Sequence, residues 1–333
     1  MRTPAHAPLV ATTRGGHVEC IHYGSIAVVD ESGRLIAGAG EPESVNFTRS
    51  ALKPLQALPF VEDGGMERFD FTSHELALMC ASHGGESIHV ATAERMLERI
   101  DAGATDLQCG SHPPGYYNAT GTYMPAHLHW SRLHHNCSGK HSGFLAWCRL
   151  HRQPLATYLE RESPLQQRIR DTVQSFAPDV DLPVGTDGCS APNYALPLTR
   201  LAYAFARLAT RATPALAAVA FAMTRHPDLV SGTARSDLAL MQAGGGDWVS
   251  KIGADGVQAI GVRSKGIGIA VRIADGSPRA LHVATVAVLK QLGLIDDIEA
   301  SPLATTADPV VHNYRRLAVG RIEPIFELPS VPV

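Results

Sequence analysis

Strand-like alternation of apolar and polar residues occurs at both ends of the chain. Residues 9–40 carry it first, and the segments 26–29 and 35–37 flank a turn at 30–33, which predicts a hairpin. The same pattern returns near the other end, in residues 249–253, 257–262 and 267–273. We therefore expect an antiparallel sheet that joins strands from the two ends of the chain.

Helical periodicity dominates the stretch between these strands. Apolar residues recur at three- and four-residue spacing in residues 73–81, 87–100, 164–176, 199–211 and 214–225. A last helix is predicted at about 278–292, followed by an irregular tail. The predicted fold class is α+β with a three-layer αβα tendency, in which the antiparallel sheet packs with helices. We interpret residues 1–333 as a single domain with a mainly helical portion, at about 50–245, inserted between the strand regions.

Composition and charge narrow the class of protein. The 333-residue chain has a net charge of -3 and no basic patch interleaved with aromatic residues, so nucleic acid is not an expected partner. No apolar leader precedes the first strand, and no run is long and charge-free enough to span a membrane. Six dispersed cysteines without a secretory signal are expected to be reduced. These features predict a cytoplasmic protein without a membrane partner.

A serine and a lysine three residues apart stand where the helical portion begins. In Arg49-Ser50-Ala51-Leu52-Lys53 the two side chains share a helix face, so the amine can reach the serine oxygen and act as its base. This Ser-x-x-Lys arrangement is typical of serine acyl-transfer enzymes, and it requires a lysine whose charged form is disfavoured. Pro54 fits only in the first helical turn, which places Ser50 beside unpaired N–H groups able to bind an oxyanion.

Three polar clusters follow downstream. They are Ala81-Ser82-His83-Gly84-Gly85-Glu86, Asn136-Cys137-Ser138-Gly139-Lys140-His141 and Gly185-Thr186-Asp187-Gly188-Cys189. The first and third are glycine-rich turns, whereas the second runs into an apolar segment. Residues 109–135 are irregular and rich in Pro, Gly, His and Tyr, and we interpret them as a flap or as part of a subunit interface.

The order of these motifs resembles two families. A Ser-x-x-Lys segment, a serine turn and Lys265-Gly266 near the final strands are similar to serine β-lactamases and penicillin-binding enzymes, although the Ser-Asp-Asn triplet is missing. All the clusters together, with Ser264-Lys265-Gly266, more closely resemble the L-asparaginases of the Rhizobium etli type along nearly the whole chain. That resemblance implies a serine β-lactamase/glutaminase-like fold, hydrolysis of L-asparagine to aspartate and ammonia, and a Zn²⁺ near the active site.

The resemblance also implies two Ser-Lys tandems, Ser50 with Lys53 and Ser82 with Lys265. Amide hydrolysis needs a nucleophile, a base that later protonates the leaving ammonia, and donors for the oxyanion. Each serine has a lysine as its candidate base, so the residues alone leave open which serine attacks the amide. If lysines are the bases, activity is expected to rise toward alkaline pH.

An amino-acid substrate must also be held by its charged groups. Arg49 is suited to a bidentate clamp on the carboxylate and Asp187 to the ammonium group. His83 lies beside Ser82 and is assigned to the same substrate pocket. These three assignments complete the predicted active site.

The resemblance implies that Cys137, Lys140 and Cys189 are the zinc ligands. Thiolates are natural zinc ligands, whereas an amine coordinates only when it is neutral. The residues alone favour His141 or His135 as the third ligand. Because serine nucleophiles are available, the metal is expected to support substrate binding and not to supply the nucleophile.

Two other functions remain open from the sequence. One alternative is a glutaminase or another serine-type amidase of β-lactamase-like fold. The other is a non-catalytic homologue that binds an amino acid or zinc. One methylene in a pocket discriminates by only about 1 to 3 kcal/mol, so glutaminase side activity stays compatible with the sequence. The expected partners are L-asparagine and a second copy of the chain, since a homodimer is the commonest assembly.

Overall fold

Residues 3–307 and 309–329 are described by a computed structural model of the protein. The strands are β1 Ala7–Arg14, β2 His17–Asp30, β3 Leu35–Ala39, β4 Val45–Phe47, β5 Val184–Thr186, β6 Pro192–Pro197, β7 Trp248–Gly253, β8 Val257–Val262, β9 Ile267–Ile273, β10 Val310–His312 and β11 Ala318–Pro324. The helices are α1 Lys53–Glu62, α2 Gly65–Arg68, α3 Ser73–Met79, α4 Ser87–Glu98, α5 Gly115–Thr120, α6 Ser138–Leu150, α7 Pro164–Ser175, α8 Leu198–Ala209, α9 Pro214–Arg225, α10 Pro227–Val230, α11 Ser236–Ala243, α12 Pro278–Gln291 and α13 Ala304–Ala307. Short 3₁₀ helices occur at Arg49–Leu52, Arg132–His134 and Leu155–Thr157.

The described residues form two compact units. The first contains Met1–Ala51, Leu196–Thr210 and Gln242–Val333, as far as those residues are described, and the second contains Leu52–Ala195 and Arg211–Met241. The second unit lies within the stretch predicted as a helical insertion. Helix α8, which also belongs to that stretch, is part of the first unit. The single domain over 1–333 stays a prediction, and its ends at 1–2 and 330–333 lie outside the described residues.

An antiparallel sheet forms the centre of the first unit. Its strand order is β10-β11-β1-β2-β9-β8-β7, and β3 pairs with β2. Strand β2 pairs with β9 in a register that places Ile26 opposite Val271 and Val28 opposite Ile269. The two ends of the chain therefore meet in one sheet, as the alternating patterns predict.

Helices cover both faces of this sheet. All residues of β8 are buried, as are all of β9 except one, so neither face of these strands is open to water. Helix α8 packs on β2, β8 and β9, whereas α12 packs on β1, β9 and β11. Gly268 permits the close approach of α8, because a Cβ there would lie 1.8 Å from the carbonyl oxygen of Ala202. These layers confirm the predicted α+β fold class.

The second unit is mainly helical and centres on α6. Residues from Ser138 to Cys148 are buried on every side, because α1, α3, α4 and α7 all pack against this helix. The only regular strand pairing within the described part of this unit is antiparallel, between β5 and β6, with Gly185 opposite Asn193. A helix buried all round carries its polar residues into the interior. Those residues belong to the candidate site.

The tail differs from its sequence prediction. It was expected to be irregular, yet β11 pairs with β1 and β10 pairs with β11. Within β11 only Ile322 is buried, so this strand lacks the alternating apolar face by which strands are recognised. Within residues 3–307 and 309–329, no helix combines the length and apolar character needed to cross a membrane.

Candidate active site

Helix α1 places Lys53 in the interior of the second unit. The chain enters α1 directly from the 3₁₀ helix Arg49–Leu52, and Pro54 occupies the first turn, where its missing N–H costs nothing. The eight residues from Lys53 to Phe60 are all buried, and the Lys53 residue is only 1% exposed. A lysine is rarely buried to this extent unless its amine has partners.

The partners of Lys53 are neutral oxygen atoms. Its Nζ donates to the carbonyl oxygen of Ala81 at 2.5 Å, to Ser82 Oγ at 2.9 Å and to the carbonyl oxygen of Asn136 at 3.4 Å. The backbone of Ser82 is itself fixed, since its N–H donates to the carbonyl of Val230 at 3.0 Å. A separation of 2.9 Å between an amine and a serine oxygen is the reach at which a base takes a hydroxyl proton.

His83 joins the Ser82 turn to the start of α6. Gly85 N–H donates to its Nδ1 at 3.1 Å, and its Nε2 lies 2.9 Å from Ser138 Oγ, which in turn donates to the carbonyl of Leu133. Nδ1 is therefore an acceptor and Nε2 a donor. Burial, with help from His89, holds the pKa of His83 well below its usual range, so the ring is neutral. Both ring nitrogens are occupied, and the assignment of His83 to substrate binding stays a prediction.

Ser50 and Arg49 lie in the first unit, in the 3₁₀ helix that precedes α1. Ser50 is half-buried, whereas Ser82 is only 4% exposed. Arg49 adopts a positive φ of 49°, a conformation that non-glycine residues rarely take. Its guanidinium forms an ion pair with Asp255. The predicted clamp of Arg49 on a substrate carboxylate stays a prediction. Such a clamp would have to be compatible with the ion pair between Arg49 and Asp255.

Two lysines near the final strands differ in their exposure, and both lie in the first unit. Lys265 lies exposed in the turn between β8 and β9. Lys251 is 0% exposed on β7, where its Nζ donates to the carbonyl of Ile252 at 2.9 Å. Gly253 lies two residues further along the same face of β7. A Cβ atom added to it would lie 3.3 Å from Arg49 Cβ, at the start of the 3₁₀ helix Arg49–Leu52. Sequence reasoning missed Lys251, although Lys251-Ile252-Gly253 is a Lys-x-Gly segment on a strand.

A cluster of two cysteines and one lysine lies at the N-terminus of α6. Cys137 is the N-cap of α6, and Lys140 follows in its first turn. Lys140 Nζ donates to Cys189 Sγ at 3.0 Å, and the side chains of Cys137 and Cys189 interact. Cys189 is brought there by the turn 187–190, in which Ser190 has a φ of 69°. The three predicted metal ligands are thus brought together within one unit.

The electrostatics of this cluster divide its two cysteines. The interaction with Cys137 and the nearby Lys140 ammonium lower the pKa of Cys189, so this residue is the thiolate. The interaction with Cys189 and burial raise the pKa of Cys137, so this residue keeps its proton. Burial opposes the charge of Lys140, yet the Cys189 thiolate raises its pKa. Without a metal, the cluster is an ammonium–thiolate ion pair with an adjacent thiol.

The donor chemistry of the cluster fits a soft divalent cation. Two sulfur atoms and one amine are buried side by side, and a cation could bind them if Cys137 and Lys140 gave up their protons. Across the described ranges, no group of three or more His, Cys, Asp or Glu side chains is arranged to hold a metal. The site therefore depends on the amine of Lys140 as a ligand. Asp187 lies in the same turn as Cys189 and interacts electrostatically with Lys140.

Sequence reasoning also missed the contacts that hold these groups in place. Tyr158 Oη lies 2.6 Å from His141 Nδ1, and the carbonyl of Asn136 accepts from both Lys53 and the His83 N–H. A backbone carbonyl leaves no signature in a sequence. Tyr158 lies outside every polar cluster, so no motif drew attention to it.

A buried amine in contact with a serine hydroxyl is the arrangement expected in an enzyme that cleaves amides. The chain belongs to the L-asparaginase II family, whose sequence profile matches residues 10–324. Membership of this family makes the protein an amidohydrolase that acts on a small molecule. The closer resemblance to the Rhizobium etli type stays a prediction.

Comparison with solved structures finds distant similarities. A crystal structure of Mglu shares 15% identity with this chain and covers 83% of it, while this chain covers 69% of Mglu, with a TM-score of 0.39. A β-lactamase from Mycobacterium bovis shares 14% identity, covers 80% of this chain, is itself covered over 94% of its length, and has a TM-score of 0.35. No curated protein matches the chain.

Proposed function

We propose that the protein is an L-asparagine amidohydrolase that forms L-aspartate and ammonia. The observation that supports it most directly is the 2.9 Å contact between Lys53 Nζ and Ser82 Oγ, enclosed in the second unit. The family membership supports hydrolysis of a carboxamide. Because the acceptors that Lys53 contacts are neutral, its amine can lose a proton without leaving an opposite charge unpaired.

In this proposal Ser50 is the nucleophile and Ser82 relays the proton. Ser50 is the more exposed of the two serine residues, stands at the start of a helical stretch, and precedes Lys53 by the three residues that place side chains on one face. Lys53 accepts the Ser50 proton as Oγ bonds to the carboxamide carbon. The C–N bond then breaks, and Lys53 returns the proton through Ser82 to the departing ammonia. Water hydrolyses the ester with the same base and releases aspartate.

We further propose that Cys137, Lys140 and Cys189 hold Zn²⁺. When bound, the ion would supply positive charge that helps to bind the substrate. Lys140 would then bind as a neutral amine, and Asp187 would be released from its interaction with the Lys140 ammonium. The Asp187 carboxylate would be suited to the substrate ammonium group.

Ammonia release from purified protein tests the reaction. L-Asparagine should be hydrolysed well ahead of L-glutamine, and the activity should rise from neutral to alkaline pH. Faster release from glutamine would make the protein a glutaminase. No release from either amide, by folded protein supplied with Zn²⁺, would refute the proposal.

Trapping the acyl-enzyme separates the two serines. Acid-quenched protein should carry an aspartyl adduct on Ser50, located by mass spectrometry of its peptides. Ser50→Ala should abolish that adduct, whereas Ser82→Ala should slow turnover and still form it. An adduct on Ser82 would reverse the two roles.

We also propose that the enzyme is a homodimer and works in the cytoplasm. Light scattering measures the mass in solution, where a value near twice 35.5 kDa is expected. A single 35.5 kDa species would contradict the dimer.

A further inference from the structure

Two fully buried polar side chains lie near the Cys189 thiolate, and neither takes part in the proposed chemistry. Tyr158 and His141 are both 0% exposed. The two rings meet edge to face, with Tyr158 Oη 2.6 Å from His141 Nδ1. Tyr158 Oη also accepts a hydrogen bond of 2.7 Å from the backbone N–H of Gln108. Within the second unit, a backbone donor, a phenol and an imidazole thus form a chain.

This chain of hydrogen bonds determines which ring nitrogen of His141 carries the hydrogen. A backbone N–H can only donate, so the phenol oxygen accepts from Gln108 and its own hydrogen is directed to His141 Nδ1. The opposite tautomer would turn the Nδ1 hydrogen toward the phenol. The phenol hydrogen would then lack a partner, because the described residues provide no other acceptor for it at this buried position. Neutral His141 therefore has an accepting Nδ1 and a hydrogen on Nε2.

The second nitrogen of His141, Nε2, is buried and has no hydrogen-bond partner among the described residues. The ring does interact with the Cys189 side chain, although the described geometry falls short of a full hydrogen bond. A polar N–H left without an acceptor in an interior is costly, and the sulfur of Cys189, with which the ring interacts, is able to accept it.

We propose that Tyr158 and His141 are positioning residues that fix the sulfur of Cys189 for metal binding, with Nε2–H of His141 donating to that sulfur. This inference rests on the zinc site proposed above. It also means that His141 is not a ligand, since both of its nitrogens are used. His135 contributes differently, because its Nδ1 accepts the N–H of Cys137 at 3.0 Å and so holds the backbone of another ligand.

Tyr158→Phe removes the hydroxyl and keeps the ring. Loss of such an outer contact typically lowers metal affinity by roughly 10- to 100-fold, and that is the loss expected for Zn²⁺ in competition with a chromogenic chelator. Tyr194→Phe is the matched control, because Tyr194 is also buried in the second unit and its hydroxyl donates to the carbonyl of Gln166. His141→Gln keeps an N–H donor and should bind Zn²⁺ more tightly than His141→Leu.

Nitrogen NMR of metal-free protein labelled at histidine gives a readout that needs neither zinc nor activity. The His141 signal, assigned by its loss in His141→Gln, should report the Nε2–H tautomer in wild type and lose that preference in Tyr158→Phe. An Nδ1–H tautomer in wild type would overturn the proposal.

The zinc measurements separate the two levels of inference. If Tyr158→Phe and Tyr194→Phe bind Zn²⁺ as tightly as wild type, the positioning role is wrong while the zinc site stands. If wild type itself binds no Zn²⁺, the zinc site is wrong and the positioning role falls with it. Unchanged affinity in both His141→Leu and His141→Gln would also overturn it.

Discussion

Two lysines are buried in the same helical unit, and their surroundings differ. Lys53 is 1% exposed and donates to a serine hydroxyl and two backbone carbonyls. Lys140 is 3% exposed and donates to the sulfur of Cys189, whose pKa is lowered. Neutral acceptors do not hold an ammonium charge in place, whereas a thiolate does. The same residue type is therefore prepared for proton transfer at one position and for ion pairing at the other.

This difference would separate the proposed catalysis from the proposed cation binding, both by distance along the chain and by chemistry. A divalent cation can replace the Lys140 charge beside Cys189, since it neutralises thiolates more effectively than an ammonium does. Among the described contacts of Lys53, none is with a comparable anion. Substitutions at the two positions should therefore produce opposite patterns of lost activity and lost metal.

The largest effect is expected from Lys53→Met. General-base catalysis contributes about 10²- to 10⁴-fold, so turnover of L-asparagine should fall by about 10³-fold while the Zn²⁺ content stays at the wild-type value. Steady-state ammonia release and elemental analysis of the same preparation measure both quantities. Lys290→Met, at an exposed position of α12, is the control and should match wild type. Loss of zinc together with activity in Lys53→Met would end the separation of the two sites.

Lys251 provides a second test, because it is buried on β7 while Lys265 is exposed in a turn. If Lys251 acts near the catalytic serine, Lys251→Met should lower kcat/KM by about 10²-fold, the lower end of a general acid–base contribution. Lys265→Met should change it by less than about twofold, as exposed substitutions usually do. Circular dichroism should show both variants folded. The reverse order of effects would support the predicted pairing of Ser82 with Lys265.

Cys189→Ala should show the opposite pattern to Lys53→Met. It removes the thiolate that pairs with Lys140, so the protein should lose its bound Zn²⁺ while turnover falls less than in the Lys53 variant. Cys148→Ala is the matched control, because burial raises the pKa of Cys148 to about 12 and its thiol belongs to the packing of α6. Elemental analysis after dialysis measures the outcome. One equivalent of zinc retained by Cys189→Ala would exclude Cys189 as a required ligand.

The smallest effect concerns the stability of the region around Lys53. Burial lowers the pKa of His83 and of His89, whose ordinary value is about 6.5. Below that pH the unfolded chain binds protons that the folded chain does not, so acid lowers the free energy of unfolding, by up to about 1.4 kcal/mol per pH unit for each histidine. Above about pH 7 these two groups contribute no slope.

Urea unfolding between pH 7.5 and 5 measures that dependence. His89→Gln should reduce the slope, because one of the two buried imidazoles is gone. His127→Gln should leave it unchanged, since this histidine is exposed. Equal slopes in all three proteins would show that protonation of His89 does not limit stability.

Much of the fold could be predicted from local pattern. The strand predicted at 267–273 is β9, and the strands predicted at 249–253 and 257–262 are β7 and β8, because buried strands carry continuous or alternating apolar residues. Strand β11 could not be found this way, since it lies near the sheet edge with one buried residue and is held by pairing with β1.

The candidate site shows the same division. Spacing alone drew attention to Ser50 and Lys53, and the motif order drew attention to Cys137, Lys140 and Cys189. The sequence did not predict that the Lys53 amine contacts the hydroxyl of Ser82, which lies 29 residues away. Spacing can place two side chains on one face of a helix, but it cannot show which remote turn folds against them.

The sequence by itself determined which chemical groups this protein has and roughly where helices and strands carry them. Only the tertiary structure decided that Lys53 meets neutral oxygens, that Lys140 meets a thiolate, and that Lys251 is buried while Lys265 is not. The physical reason is that burial and hydrogen-bond partners come from residues far apart in the chain. These surroundings set the charge and reactivity of a lysine, and the residue type does not.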